Sequence, residues 1–160
     1  MINLDFVFPE IFLSISIMFL LMLGVFKNKS EKLVYNLSIV ILIILLALVV
    51  NLFQIDEQFI FNKSYKIDNL SSFMKSLTII SAIFVMICST TYIKSLNILK
   101  IEYPILILSS ILGMMVMISS NDLIVFYLGL ELQSLALYVL ATFNRDNILS
   151  SESGLKYFVL

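Results

Sequence analysis

The feature that most constrains this chain is a series of long apolar stretches separated by short charged clusters. A bilayer core about 30 Å thick needs about 20 apolar residues in a helix. Five stretches of the 160-residue chain approach or reach this length: residues 6–26, 33–55, 70–93, 103–121 and 123–144. The sequence therefore predicts an all-α, polytopic membrane helix bundle with five complete transmembrane helices.

A sixth helix is expected to start near Ser151. Serines and Glu152 suit a first helical turn, because an acidic side chain complements the positive end of the helix dipole. The chain stops at Leu160, inside another apolar run. We interpret it as a fragment of a longer protein that ends within its sixth helix.

Composition excludes several classes of function. Only 13% of the residues are charged and the net charge is −1, so a lipid bilayer is the expected partner and nucleic acid is not. One cysteine and no histidine exclude a disulfide framework, a Cys/His zinc site and His-ligated haem within this chain. The lone Cys88 is predicted to be a small buried apolar residue.

The connections between the spans carry further expectations. Residues 56–69 form a polar connection, and Lys75, near the start of the third span, is expected to extend its ammonium to the lipid headgroups. Pro104 fits the first turn of the fourth helix. The short polar turn at 119–122 is expected to cap the fifth helix and to make helices four and five a tight antiparallel hairpin.

Basic residues predict the orientation. Six of them flank one side of the membrane: Lys27, Lys29, Lys32, Lys94, Lys100 and Arg145. The other side has Lys63, Lys66 and the boundary residue Lys75. The positive-inside rule therefore places the N-terminus on the outer side.

Glu131 is the charge that most needs an explanation, because it is the single charged residue within 123–144 and lies about 12 Å into that helix. An ionised carboxylate near the bilayer centre costs at least about 2.5–3.5 kcal/mol. Tyr127, Ser134 and Tyr138 follow helical spacing around it and form one polar stripe. Two interpretations remain open: proton or ion handling, or hydrogen bonding that only holds neighbouring helices together.

Lys156 is the second candidate. If the sixth helix starts near Ser151, this lysine lies about 7.5 Å along it, where its charge opposes the helix dipole. A functional role and a flank that reaches the headgroups are both compatible with this position.

Two segments carry a family resemblance: residues 119–140, with Glu131 in the motif Leu-Gly-Leu-Glu-Leu-Gln-Ser, and residues 151–160, Ser-Glu-Ser-Gly-Leu-Lys-Tyr-Phe-Val-Leu. They closely resemble subunit N, the antiporter-like membrane subunit of respiratory complex I, which is the proton-pumping NADH:quinone oxidoreductase. The Pro9-Glu10-Ile11-Phe12 start resembles it too. The resemblance extends over essentially the whole chain and is most specific in the last 40 residues.

The resemblance implies an organisation and a site. Such subunits have about 14 helices and two inverted five-helix repeats, the first of which begins at the fourth helix. Residues 1–102 would then be an N-terminal three-helix segment, and residues 103–160 the start of the first repeat. Glu131 would be the fifth-helix glutamate of the proton channel and Lys156 the sixth-helix lysine beside it, with Tyr127, Ser134 and Tyr138 supporting the channel face.

The resemblance also implies partners and a location. Other membrane subunits of complex I would be the partners, and NADH, FMN, the iron–sulfur clusters and quinone would lie in other subunits, with no cofactor in this chain. A bacterial inner membrane is expected, with the mitochondrial inner membrane as the alternative.

Two other functions stay open. A subunit of a multi-subunit sodium/proton antiporter would share the fold and the glutamate but carry out no redox reaction. A structural assembly factor needs no buried charge, so Glu131 counts against it. Neighbouring genes for quinone oxidoreductase subunits or for antiporter subunits would separate the first two.

Cysteine labelling tests the orientation. In a cysteine-free background, Asn28→Cys should react with an impermeant maleimide from the cytoplasmic (or matrix) side, and Asn62→Cys from the opposite side, because the two positions lie in successive connections. The reverse pattern would contradict the predicted topology.

Overall fold

The structure of the chain is a computed structural model that describes residues 4–26, 31–53, 57–95, 101–144 and 148–159. After a 3₁₀ turn at Leu4–Val7, its elements in chain order are α1 (Phe8–Phe26), α2 (Glu31–Val50), β1 (Gln58–Ile60), β2 (Tyr65–Ile67), α3 (Asn69–Ser95), α4 (Glu102–Ser119), α5 (Leu123–Ala141) and α6 (Ile148–Val159). Helices α1 to α5 each contain a segment long and apolar enough to cross a membrane. This confirms the predicted bundle of five spanning helices followed by the start of a sixth.

The core lies between α1, α2, α3 and α4. Fully buried apolar side chains from all four helices meet there, among them Leu13, Leu42, Ile79, Met86 and Leu108. The outward faces are also apolar, with residues such as Val25 and Phe84 largely exposed. A surface of this kind is expected of helices that face lipid, since hydrocarbon solvates apolar side chains.

Helices α4 and α5 form the antiparallel hairpin that the sequence predicts. Their backbones approach closely where Gly113 of α4 faces Gly129 of α5. A Cβ atom on Gly129 would lie 2.9 Å from the Gly113 carbonyl oxygen and 2.9 Å from the Met117 nitrogen. Small residues at such crossings allow helices to pack backbone against backbone in a membrane.

A two-stranded antiparallel hairpin occupies part of the connection between α2 and α3. Strand β1 pairs with β2 in the register Gln58↔Ile67 and Ile60↔Tyr65. Its turn contains three consecutive residues with positive φ, at Phe61, Asn62 and Lys63. We expected only a polar connection here, because three-residue strands are too short for their alternation to stand out from a loop.

The hairpin lies at one end of the helix bundle, which we call the hairpin end. Tyr65 of β2 contacts Glu10 near the start of α1 and Lys75 near the start of α3. Backbone pairing also joins Tyr65 to Ser120, after the end of α4. The starts of α1, α3 and α5 therefore lie together at the hairpin end.

Helix α3 begins with a reciprocal cap at the hairpin end. Asp68 Oδ1 accepts a hydrogen bond from the Ser71 backbone N–H at 2.7 Å, and Ser71 Oγ accepts one from the Asp68 N–H at 3.0 Å. The hydrogen bond from the Ser71 N–H lowers the pKa of the Asp68 carboxyl, and a smaller effect in the same direction comes from the Lys66 ammonium. The cap's stabilisation is therefore present above the unfolded-state pKa of an aspartate and is lost as the pH falls through the lower folded-state value.

Three other predictions need correction. Helix α6 begins at Ile148, not near Ser151, so Lys156 is its ninth residue and lies in its last described turn. Cys88 is exposed on the surface of α3, because it occupies the outward face of a helix whose lipid side is itself apolar. Asp122 is the N-cap residue of α5, but its side chain makes no capping hydrogen bond.

The flanking clusters used for the orientation fall mostly outside the described residues, namely Lys27, Lys29, Lys100, Arg145 and the side chain of Lys94. The orientation therefore stays a prediction. Asn28 also lies outside the described residues, whereas Asn62 is exposed in the hairpin turn.

The glycine contact between α4 and α5 generates a stability prediction. Gly129→Ala places a methyl group against backbone atoms that cannot rotate away, and should lower the free energy of unfolding by about 1–3 kcal/mol. Leu128→Ala is the matched control, since Leu128 is exposed on the same helix. Thermal unfolding in detergent is the measurement, and equal midpoints for the two variants would contradict the tight crossing.

Candidate functional site

Glu131 lies at the middle of α5, as the ninth of its 19 residues, and is half-buried within the described chain. Tyr127 lies one turn earlier on the same helix, so its hydroxyl is on the same helical face as the Glu131 carboxylate. Tyr127 itself is largely exposed. The structure thus keeps two members of the predicted polar stripe on one face of α5.

The other two members of the stripe, Ser134 and Tyr138, make contacts away from the Glu131 carboxylate. Ser134 Oγ donates to the backbone carbonyl of Glu131 at 3.1 Å, as serines in helices commonly do. The Tyr138 ring packs edge-on against Tyr157 and Phe158 of α6, with ring centroids 4.9 and 5.5 Å away. Tyr138 therefore links α5 to α6, and Ser134 does not reach the carboxylate.

Lys156 is exposed and forms an ion pair with Glu152, one turn earlier in α6, at 2.7 Å. Glu131 and Lys156 are therefore not joined directly within the described residues, although their helices are in contact. The pair with Glu152 lies on the surface and contributes little to stability by itself.

A second charged cluster is buried at the hairpin end. Lys75 Nζ lies 2.6 Å from Glu10 Oε1, and the Tyr65 hydroxyl donates to the same oxygen at 2.7 Å. Lys75 Nζ also contacts the Tyr65 hydroxyl at 3.3 Å. Both charged side chains are at least 94% buried. Three elements, α1, β2 and α3, thus contribute one polar group each to a site buried within the bundle.

The prediction that Lys75 extends to the headgroups was wrong. The reason is the partner: Glu10 of α1 is buried beside Lys75, and an ammonium that left it for the headgroups would leave the carboxylate buried without its counter-charge. The sequence contained a signal for this pair. Glu10 and Lys75 have opposite charges, and each lies within the first two turns of a helix that starts on the same side.

Two buried side-chain atoms have no hydrogen-bond partner among the described residues: Glu10 Oε2, within this cluster, and Ser119 Oγ, at the end of α4. Ser119 is the last residue of α4 and is fully buried, next in sequence to Ser120, which pairs with Tyr65. Burial, followed by the negative charge on Glu10, raises the pKa of Tyr65 far above its ordinary value. The phenol therefore keeps its proton at neutral pH and remains a donor to Glu10.

Comparison with known proteins points to one family. Residues 120–160 match the family model described as NADH:quinone oxidoreductase/Mrp antiporter, TM. Over 99% of its length the chain is 64% identical to NADH-quinone oxidoreductase subunit N of Pelagibacter ubique. The chain is a homologue of subunit N. The subunit N proteins of Bartonella bacilliformis and Maricaulis maris are 46% and 45% identical to it, each over 99% of the chain.

The chain spans about a third of the length of these relatives: 34% of the Pelagibacter protein, 33% of the Maricaulis protein and 32% of the Bartonella protein. The resemblance to complex I subunits that the motifs around Glu131 and Lys156 indicate is confirmed by these matches. Within the described residues, no group of three or more cysteines and acidic residues is arranged to hold a metal ion.

Breaking the buried ion pair should be costly. Lys75→Met leaves the Glu10 carboxylate buried beside an apolar chain, and should lower the free energy of unfolding by about 3–5 kcal/mol. The double variant Glu10→Gln/Lys75→Met leaves no unpaired charge and should recover most of that loss. Thermal unfolding in detergent measures both.

Lys156→Met is the matched control, because it removes a lysine from an exposed pair and should shift the unfolding midpoint little. A double variant no more stable than Lys75→Met alone would contradict the buried pair.

Proposed function

We propose that the chain is part of a proton-translocating membrane subunit of NADH:quinone oxidoreductase, and that Glu131 is a proton-carrying group in it. The observation that carries the proposal is a single carboxylate at the centre of a spanning helix, half-buried and with Tyr127 one turn away on the same face. The family model and the names of the subunit N relatives support the same function.

The environment of Glu131 suits a change of protonation. Apolar surroundings penalise an ionised carboxylate, whereas a hydrogen bond from a phenol or a nearby cation stabilises it. Because these effects oppose each other, a small movement of one partner changes which form is favoured. Movement of a partner group, driven by electron transfer elsewhere in the complex, would then load or release one proton at the Glu131 carboxyl.

Lys156 is the proposed cationic partner in this process. Its pair with Glu152 is exposed, so little energy opposes a change of rotamer or partner. The packing of Tyr138 against α6 keeps the two helices that carry Glu131 and Lys156 together. The supporting residues Tyr127, Ser134 and Tyr138 keep their proposed place at the channel face.

The proposal extends to the organisation, partners and location of the subunit. Residues 1–102 form the N-terminal three-helix segment, and residues 103–160 begin the first antiporter-like repeat. Other membrane subunits of the complex are the partners, and NADH, FMN, iron–sulfur clusters and quinone belong to other subunits. The membrane is the bacterial inner membrane, with the hairpin end on the outer side.

A subunit of a sodium/proton antiporter is the second candidate, since the description of the family model covers Mrp antiporters as well. The names of the relatives favour the quinone oxidoreductase. Both functions use a carboxylate at the position of Glu131, and they differ in whether quinone reduction is coupled to ion movement.

Substitution of Glu131 tests the proposal. In the full-length subunit within its complex, Glu131→Gln keeps size and hydrogen bonding but cannot titrate. We expect normal assembly and loss of most coupled NADH:quinone turnover and proton pumping, measured in sealed vesicles. Glu131→Asp should retain part of both activities because only reach is lost, and Lys156→Ala should lower pumping by a smaller factor.

Lys32→Ala is the control, because Lys32 is exposed at the end of the bundle opposite the hairpin. Normal pumping by assembled Glu131→Gln would make the residue a structural hydrogen-bonding group. Sodium/proton exchange by the assembled wild-type complex with no NADH:quinone turnover would favour the antiporter.

A further inference from the structure

The cluster of Glu10, Lys75 and Tyr65 is expensive to bury, which raises the question of what it does for the protein. A buried ion pair gives little or no net stability relative to apolar side chains of similar size. It does favour one geometry, because the ammonium and the hydroxyl both bond the same Glu10 oxygen, at 2.6 and 2.7 Å, and a displaced side chain would leave a buried charge without its partner. The cluster therefore fixes β2 relative to the first turns of α1 and α3.

Hydrogen bonds connect the hairpin to the turn between α4 and α5. Tyr65 pairs with Ser120 through the backbone, and the Asn121 N–H donates to the Ser64 carbonyl at 2.9 Å. The Asn121 side-chain amide donates to the Lys63 carbonyl at 2.8 Å. These bonds hold the hairpin against the residues that lead into α5.

The start of α5 depends on these bonds more than a typical helix start does. Asp122 occupies the N-cap position without a side-chain capping bond. The positive φ angles at Phe61, Asn62 and Lys63 also cost energy, so the surrounding contacts must hold this turn in place. The Asn121 amide, bonded to the carbonyl of Lys63, is one of those contacts.

Helix α5 is then held at two points. The hairpin fixes its first residues, and the contact of Gly113 with Gly129 fixes its distance from α4 near the middle. Glu131 lies two residues beyond Gly129. Two fixed points on one helix define its depth and tilt, and together they define where the Glu131 carboxylate lies.

We propose that Glu10, Lys75 and Tyr65 are positioning residues for Glu131 and act through the hairpin and Asn121. The path runs in series from the ion pair to Tyr65, along the hairpin to Asn121, and through α5 to the carboxylate. The proposal rests on the proposed function for the consequence in proton pumping, but the position of Glu131 is measurable without turnover.

The experiment uses the full-length subunit in its assembled complex and two variants that leave no buried charge unpaired. Tyr65→Phe removes the hydroxyl that joins the hairpin to Glu10, and Asn121→Ala removes the amide that joins the hairpin to α5. Asn36→Ala, at an exposed position on α2, is the matched control. The readouts are the rate at which a hydrophobic carbodiimide modifies Glu131, followed by peptide mass spectrometry, and proton pumping in sealed vesicles.

We expect each hairpin variant to change the labelling rate of Glu131 severalfold and to lower pumping by roughly tenfold or more, since a displacement of about 1 Å far from the chemistry can cost about a hundredfold in rate. The control should change neither. Because the links act in series, the double variant should be no worse than the more severe single variant.

Two results would overturn the proposal. Unchanged labelling of Glu131 in both assembled hairpin variants would show that the hairpin does not position it. Effects of the two substitutions that simply add would show that they act separately. Normal pumping by Glu131→Gln would instead overturn the proposed function, and the labelling rates would still decide the positioning.

Discussion

The structure depends on one constraint, which is that a charge within a bilayer has no water to solvate it. The chain meets this constraint in two ways. At the hairpin end, Glu10 and Lys75 neutralise each other at 2.6 Å, and Tyr65 completes the coordination of the shared oxygen. In α5, Glu131 has Tyr127 one turn away on its own helical face and no bonded cation among the described residues. The first arrangement is closed and rigid, and the second leaves the carboxylate open to a change of partner.

This contrast explains how one small bundle can contain both a fixed and a changeable charge. The Glu10–Lys75 pair is enclosed by α1, α3 and the hairpin, so a displacement of either residue would leave a charge buried alone. Glu131 lies on a helix that buries little of its surface against the described chain. Rigidity at one end of α5 and exposure at its centre are the conditions under which a carboxylate can respond to neighbouring groups while staying at a fixed depth.

The helical architecture was predictable because length and apolarity suffice to define a membrane span. Glu131 was predictable for the same reason, since a lone charge stands out in an apolar helix. Lys75 was misjudged because its partner is 65 positions away: the opposite charges of Glu10 and Lys75 allow a pair, but the sequence does not show that the fold brings the two helices together. The β-hairpin was not predicted, because its strands are short. Cys88 was wrongly predicted to be buried, because both faces of a lipid-facing helix are apolar and the sequence does not show which face is inside. The contact of Gly113 with Gly129 also depends on pairing between helices, which only the fold supplies.

The buried pair has an evolutionary consequence. Neither Glu10 nor Lys75 can be replaced alone without passing through a protein that has an unpaired charge inside its bundle, whereas replacement of both by uncharged residues restores a well-packed site. Substitutions at these two distant positions are therefore expected to appear together across a lineage. Lys156 and Glu152 form an exposed pair, so either residue can be substituted alone without burying a charge. Substitutions at these two positions are therefore expected to occur independently, unless the function of the assembled subunit retains the residues.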